Sequence, residues 1–298
     1  MNNILEKCVI CPHQCKVDRT CDKRGFCRAN DKVKIALASI HHFEEPCISG
    51  ENGSGTIFFS NCNMKCVYCQ NHEISQEDFG KEISIEHLSN IFLNKQKEGV
   101  HNINLVTPTI YVLQIIEAIK LAKNNGLTIP IIYNSSGYES KDTLKLLEGY
   151  IDVYLPDFKY MDDEIAFKYS KIKNYSSIAK DAINEMYRQV GTPVLDDKGI
   201  IKKGLIIRHM ILPSHIYNTK KVLEWINKKF GNKVYVSVMA QYFPAYKAKD
   251  DAKISRKITI EEYNEVEEYL YSLDLENGYI QELGEHEEEY VPKFDLSE

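Results

Sequence analysis

Three cysteines, Cys62, Cys66 and Cys69, lie within eight residues, directly after the apolar run Thr56-Ile57-Phe58-Phe59. A loop leaving the end of a strand can wrap three thiolates around one face of an inorganic group, and soft thiolates favour iron–sulfur clusters or zinc. A four-iron cluster with three protein ligands keeps one iron open. An open metal position is where chemistry happens at catalytic zinc, and the same logic applies here. The spacing therefore points to a reactive metal centre that a small molecule completes.

The chain has nine cysteines, and all of them fall between Cys8 and Cys69. Cys8, Cys11, Cys15 and Cys27 suffice for a second metal, with Cys21 or Cys47 as alternates, and the Cys8–Cys11 spacing suits zinc or a second iron–sulfur cluster. Such a site could relay electrons, anchor a substrate or simply staple the segment. His13, His41 and His42 are further candidates nearby. The segment around these cysteines is basic, short of aliphatics and rich in turn formers, so it cannot form a core alone. Metal is the expected staple.

The elements that would position the first three cysteines follow from periodicity. Residues 84–98 carry Ile85, Leu88, Ile91 and Phe92 at helical spacing and stop at Gly99. Short apolar strands then alternate with helices: strands at 102–107, 129–134, 151–155, 204–212 and 233–239, helices at 110–123, 141–147, 163–170, 177–188, 219–230 and 259–273. Near-continuous apolar strands flanked by helices predict an α/β fold with a parallel sheet covered on both faces. Counting the strand before the cysteines, six β/α units predict a partial (β/α)6 barrel, with an open doubly wound sheet as the other arrangement of the same pattern. Residues 32–38 read as one further strand, and 41–55 as an irregular loop.

In either arrangement, ligands gather at the C-terminal ends of the strands. The polar groups placed there are Thr107, Thr109, Asn134, Ser136, Asp157, Lys159, Arg208, His209 and Gln241. A small zwitterion at an open iron needs a cation for its carboxylate, which Arg208 and Lys159 offer. It needs polar partners for a sugar, which Asn134, Ser136 and Asp157 offer. The expected organisation is a cysteine-rich segment over 1–52, a core over 53–258, and an acidic helix and tail over 259–298.

Composition excludes several other classes. At 298 residues and 43% hydrophobic content the chain can bury a large core. No apolar run is long enough to span a membrane, and Met1–Lys7 has no signal-peptide segment, so the expected compartment is the cytoplasm. From Thr259 onward 14 acids face the single basic residue Lys293. That end is unsuited to nucleic acid, whose binding requires Lys and Arg at phosphates.

The run Cys62-Asn63-Met64-Lys65-Cys66-Val67-Tyr68-Cys69 resembles the cluster motif of the radical S-adenosylmethionine superfamily. Its context, Gly53 through Cys62 and on to Asn71, is similar to relatives of the pyruvate formate-lyase activating enzymes. So are Asp152-Val153-Tyr154-Leu155-Pro156-Asp157-Phe158-Lys159 and Arg208-His209-Met210-Ile211-Leu212-Pro213. The resemblance implies a [4Fe–4S] cluster on Cys62, Cys66 and Cys69, with S-adenosylmethionine chelating the fourth iron. It implies reductive cleavage to a 5′-deoxyadenosyl radical that takes hydrogen from a substrate, with the electron coming from a low-potential donor such as flavodoxin or ferredoxin. Tyr68 would flank the adenine, Asp157 and Lys159 the ribose and carboxylate, and Arg208 the carboxylate.

The chain departs from the activating enzymes in three places. Thr107-Pro108-Thr109 stands where they have a Gly-Gly-Glu motif contacting the methionine amino group, Asn134 where they have an acid, and Phe243 at a histidine position. A protein or peptide substrate is the expectation from the resemblance, with a small molecule as the runner-up. The contrasting class is a non-catalytic zinc or iron–sulfur scaffold or electron carrier.

Overall fold

The structure is a computed structural model and describes residues 2–21, 23–284 and 292–298. Residues 285–291 of the expected acidic tail lie outside the described residues. The strands are β1 (Val33–His41), β2 (Ser54–Phe59), β3 (Lys81–Ile83), β4 (Ile103–Val106), β5 (Ile131–Ser135), β6 (Val153–Pro156), β7 (Val194–Leu195), β8 (Ile201–Met210), β9 (Tyr235–Met239) and β10 (Gly278–Ile280).

They form one sheet in the order β10-β9-β8-β6-β5-β4-β2-β1-β3, with β7 paired to β8. From β2 to β10 the ladders along this path are parallel. β1 and β3 continue the sheet antiparallel beyond β2. The chain is thus an α/β protein with a mostly parallel sheet, built on six β/α units plus the short additional strand β10.

Local chemistry explains the element ends. Ser84 caps the helix Ile85–Lys97 by accepting from the His87 amide at 3.1 Å. Thr259 and Glu262 form a reciprocal capping box on the helix Ile260–Ser272. Strand side chains alternate between two faces. Tyr133, Tyr154 and Leu205 join the large cluster under the helices, while Ile132, Val153, Leu155 and Ile206 point into the concave side.

That concave side is not empty. The stretch expected to be an irregular loop contains the helix Pro46–Ser49, and its Cys47 and Ile48 are buried against Ile132, Val153, Leu155 and Ile206. The expected boundary at residue 52 falls between β1 and β2, which pair from Ile35↔Phe59 to His41↔Ser54. At the other end, Leu296 donates its amide to Ala36 at 3.0 Å and Ser297 accepts from Ala38 at 2.9 Å, so the last residues run along β1. No helix among the described residues is long and apolar enough to cross a membrane.

Candidate active site

The loop after β2 carries Cys62, Cys66 and Cys69 to the rim of a cavity of about 600 Å³ at the C-terminal ends of the parallel strands. Asn61, which opens the loop, has φ of 69°, a left-handed conformation that Asn tolerates. Its amide donates to Ile74 at 2.7 Å, which turns the chain sharply away from the sheet. Each thiol already has a polar neighbour. The Met64 amide donates to Cys62 Sγ at 3.4 Å, Ser170 Oγ lies 3.0 Å from Cys66 Sγ, and Ser75 Oγ lies 3.3 Å from Cys69 Sγ.

Burial pushes the Cys62 thiol up to about 12 and the Cys66 thiol up to about 11, the latter opposed by the Lys159 charge. Cys69 is raised by burial too. Thiols of this kind become ligands when a metal displaces their protons. All nine cysteines are free.

Tyr68, Thr107, Asn134, Ser136, Asp157, Lys159, Arg208 and Gln241 all line this cavity together with the three cysteines. Thr109 does not. Thr107 sits at φ 61°, a strained conformation for a β-branched residue, and the chain then enters the turn Thr109–Tyr111. Thr109 is buried, and its hydroxyl donates to Glu139 at 2.6 Å. The Tyr68 hydroxyl is tied to that of Tyr160, which reaches Ser170 Oγ at 2.7 Å and through it Cys66. His209 is buried away from the cavity between the Phe158 carbonyl and Thr219.

Arg208 is held on three sides. Its Nε donates to Asp157 at 2.9 Å, one Nη to Glu44 at 3.0 Å and the other to Asn134 at 2.6 Å. Lys159 pairs with the second Asp157 oxygen at 2.6 Å. Burial of Asp157 works against its charge, but Arg208 and Lys159 outweigh it and hold the carboxyl below its ordinary value.

Glu44 and Glu45 line the cavity and were not expected from the sequence. The signal for them was weak: two acids ahead of a proline in a stretch that reads as an irregular loop, where charged side chains are ordinarily solvated.

The other cysteine set lies apart. Cys8, Cys11, Cys15 and Cys27 line one small gap with Arg19. Cys21 is exposed, and Cys47 belongs to the concave-side cluster. His13 joins the two regions, with Nε2 2.8 Å from the Asn63 carbonyl and its ring stacked on Phe26 at 3.9 Å. Among the described residues, no three His, Cys, Asp or Glu side chains converge on a single metal ion.

The residues fit the group their spacing implies. Three undisulfided thiols face one cavity, and two buried polar atoms of residues that line it, Ser136 Oγ and Glu45 Oε2, have no partner among the described residues. Buried polar atoms in that state are costly unless a ligand satisfies them.

Comparison with known proteins agrees. Residues 56–226 match the Radical SAM superfamily. The protein MJ0674 of Methanocaldococcus jannaschii is 36% identical over 92% of this chain and 77% of its own length. Among solved structures, Streptococcus suis SuiB bound to S-adenosylmethionine matches 79% of this chain with a TM-score of 0.51 at 15% identity, and this chain spans 51% of SuiB. A radical SAM methyltransferase from Sphaerobacter thermophilus matches 76% of this chain at a TM-score of 0.51 and 12% identity, with 65% of its own length covered. The last two likenesses concern the fold. The family profile, which spans more than half of the chain, establishes that the chain belongs to the radical SAM superfamily, whose members use a [4Fe–4S] cluster and S-adenosylmethionine.

Proposed function

We propose that this chain is a hydrogen-abstracting radical SAM enzyme acting on a protein or peptide, with the chemistry confined to the cavity beside Cys62, Cys66 and Cys69. The observation that carries the reading is the convergence of three free thiols and eight strand-end and loop side chains on one cavity. The cluster and S-adenosylmethionine supply one-electron cleavage of a sulfonium and the hydrogen abstraction that follows. The protein's part is to hold, orient and exclude.

Cys62, Cys66 and Cys69 hold the cluster. Ser136, Asn134 and Asp157 present hydrogen-bonding atoms for a ribose, Lys159 a charge for a carboxylate, and Tyr68, Thr107 and Gln241 the surrounding wall. The Asp157–Arg208–Glu44 lattice keeps that wall rigid, which serves positioning.

The size of the cavity supports a shared site. At about 600 Å³ it lies in the range of small-ligand pockets. With a cofactor inside, the remaining room suits one side chain or a short loop inserted from outside. Half-exposed Phe43 stands on the rim as an apolar contact for a polypeptide. The electron donor fitting such a site is a low-potential flavodoxin or ferredoxin.

Anaerobic reconstitution with iron and sulfide, reduction and addition of S-adenosylmethionine should yield 5′-deoxyadenosine. Cell extract separated by ultrafiltration then tests the substrate. Stimulation of 5′-deoxyadenosine formation by the retained macromolecules supports a polypeptide. Stimulation by the filtrate alone transfers the assignment to a small molecule. No cleavage by a fully loaded, reduced cluster would overturn the reading as a whole.

We also propose that Cys8, Cys11, Cys15 and Cys27 hold a second thiolate-bound metal, zinc or iron–sulfur. The supporting observation is Arg19. It is only 1% exposed, yet among the described residues its guanidinium meets carbonyls, Asn30 at 3.0 Å and Ile110 at 2.8 Å, and no carboxylate. Its other close neighbour is Cys8 Sγ at 4.0 Å. A buried arginine stays charged and needs a counter-charge. Four thiolates around a divalent or cluster cation leave a net negative group that supplies it. Metal analysis of a Cys62→Ala, Cys66→Ala, Cys69→Ala variant reads this site alone, and absence of zinc and iron there excludes it.

A further inference from the structure

Among the described residues, the inner wall of the cavity sets three acids, Glu44, Glu45 and Asp157, against two cations, Arg208 and Lys159. Glu44 is engaged by Arg208 at 3.0 Å and Asn104 at 2.9 Å, and Asp157 by Arg208 and Lys159. Those contacts use both buried cations of the wall. Glu45 is left over. It is 8% exposed, lines the same cavity and is hydrogen-bonded by Ser237, but among the described residues its Oε2 has no hydrogen-bond partner.

Glu45 is held rigidly where it is. It is the residue before the helix Pro46–Ser49, its carbonyl accepts from Ile48 at 2.7 Å and Ser49 at 3.1 Å, and Cys47 and Ile48 anchor that helix in the concave side of the sheet. Proline at the first helical position fixes the entry of the chain. Burial raises the Glu45 carboxyl above its ordinary value, Arg208 opposes that rise and Glu44 adds to it. A desolvated carboxyl with an unpartnered oxygen, on a residue that lines a ligand cavity, gains by giving up its proton to pair with a cation that brings N–H donors.

We propose that Glu45 is a cation-receiving subsite that takes an alkylammonium group of a molecule bound in this cavity. The inference rests on the proposed function and, where the occupant is the substrate, narrows its class to amine-bearing molecules or side chains. A metal ion is the wrong occupant, because hard cations collect several oxygens and the neighbouring carboxylates of Glu44 and Asp157 are already taken by Arg208, Asn104 and Lys159. An ammonium needs only one carboxylate and neighbouring polar atoms, and Ser237 is beside Glu45.

Two sources share this chemistry, the substrate's ammonium and the α-ammonium of S-adenosylmethionine, and binding measurements on the reconstituted holoenzyme separate them. In the first arm, n-butylammonium and uncharged n-butanol are titrated into the S-adenosylmethionine-loaded enzyme. In the second, S-adenosylmethionine is compared with its desamino analogue. Both arms are repeated with Glu45→Gln.

A substrate subsite predicts that n-butylammonium binds at least tenfold tighter than n-butanol, and that Glu45→Gln removes the difference and leaves S-adenosylmethionine affinity unchanged. A cofactor subsite predicts that Glu45→Gln weakens S-adenosylmethionine at least tenfold and leaves the desamino analogue unaffected. If the wild-type enzyme shows no preference for the charged member of either pair, the subsite is refuted without recourse to any variant. These readings are equilibrium binding, so they stand apart from whether 5′-deoxyadenosine is formed.

Discussion

Cys62, Cys66 and Cys69 face a cavity of about 600 Å³, whereas Cys8, Cys11, Cys15 and Cys27 surround a gap of about 10 Å³. The first set lies among ionised and hydrogen-bonding side chains drawn from strands and from the loops that follow them. The second has a single buried cation, Arg19, and apolar neighbours such as Ile10 and Ile110. Ligand type is the same in both. Surroundings decide the role: three thiolates beside open space leave a coordination position for a reactant, and four thiolates closed on themselves leave none. With the proposed second metal bound, the amino-terminal set would act as a staple for a segment with little core of its own, where metal binding becomes folding energy.

Exchanging single ligands should separate the two regions most sharply. Cys66→Ala should lower 5′-deoxyadenosine formation by at least about 100-fold, since even partners behind metal ligands cost about 10–100-fold. Its thermal unfolding should move little by comparison. Cys11→Ala should do the reverse, losing the second metal and several degrees of melting temperature with S-adenosylmethionine cleavage largely kept. If Cys11→Ala abolished cleavage with its catalytic cluster still loaded, the amino-terminal site would be part of the electron path.

The seam between the regions offers a smaller effect. Tyr138 contacts His13 on one side, and its carbonyl accepts from Asn63 of the cysteine loop at 2.6 Å on the other. The adjacent Glu139 is buried, and burial raises its carboxyl from 4.5 to about 7, against hydrogen bonds from Thr109, Ser135 and Tyr133. The native state therefore keeps a proton that the unfolded chain releases between about pH 4.5 and 7. Stability should fall as pH rises through that window, by up to about 3 kcal/mol from this group. Glu139→Gln should flatten the slope in denaturant titrations and leave the rate of S-adenosylmethionine cleavage unchanged. An unaltered slope would show that Glu139 ionises without cost.

What the sequence made legible follows the reach of its signals. The cysteine spacing, the alternation of strands and helices, and the rule that ligands sit at strand ends located Asn134, Asp157, Lys159 and Arg208, because position along a parallel strand determines which end a residue occupies. Thr109 was expected at the cavity and lies away from it for a local reason: a left-handed Thr107 reverses the chain, and no residue type announces that. Glu44 and Glu45 were missed for a non-local one. Period-two alternation says which side of a strand faces inward, but not which distant segment fills the space there. β10 was hidden by Asn277-Gly278, which reads as a turn. Gly278, at φ 150°, instead allows an approach to β9 so close that a Cβ would lie 1.9 Å from the Val236 carbonyl oxygen.

The smallest expected effect concerns the catalytic set alone. Tyr68, Tyr160, Ser170 and Cys66 form a chain of hydroxyls ending on sulfur, with Ser170 Oγ 2.7 Å from Tyr160 and 3.0 Å from Cys66 Sγ. If Tyr68 donates to Tyr160 and Tyr160 to Ser170, the Ser170 proton is directed at the thiolate. Hydrogen bonds to cluster sulfurs favour the reduced, more negative state. Ser170→Ala should therefore make the cluster harder to reduce by about 1 kcal/mol, on the order of 50 mV for one electron. It should also cost about 1 kcal/mol of stability by taking the acceptor from the buried Tyr160 O–H. Protein-film voltammetry reads the first and denaturant unfolding the second. A stability loss with no change in potential would mean that the chain of hydroxyls ends at Ser170 as packing, and that Cys66 is tuned only by burial and by Lys159.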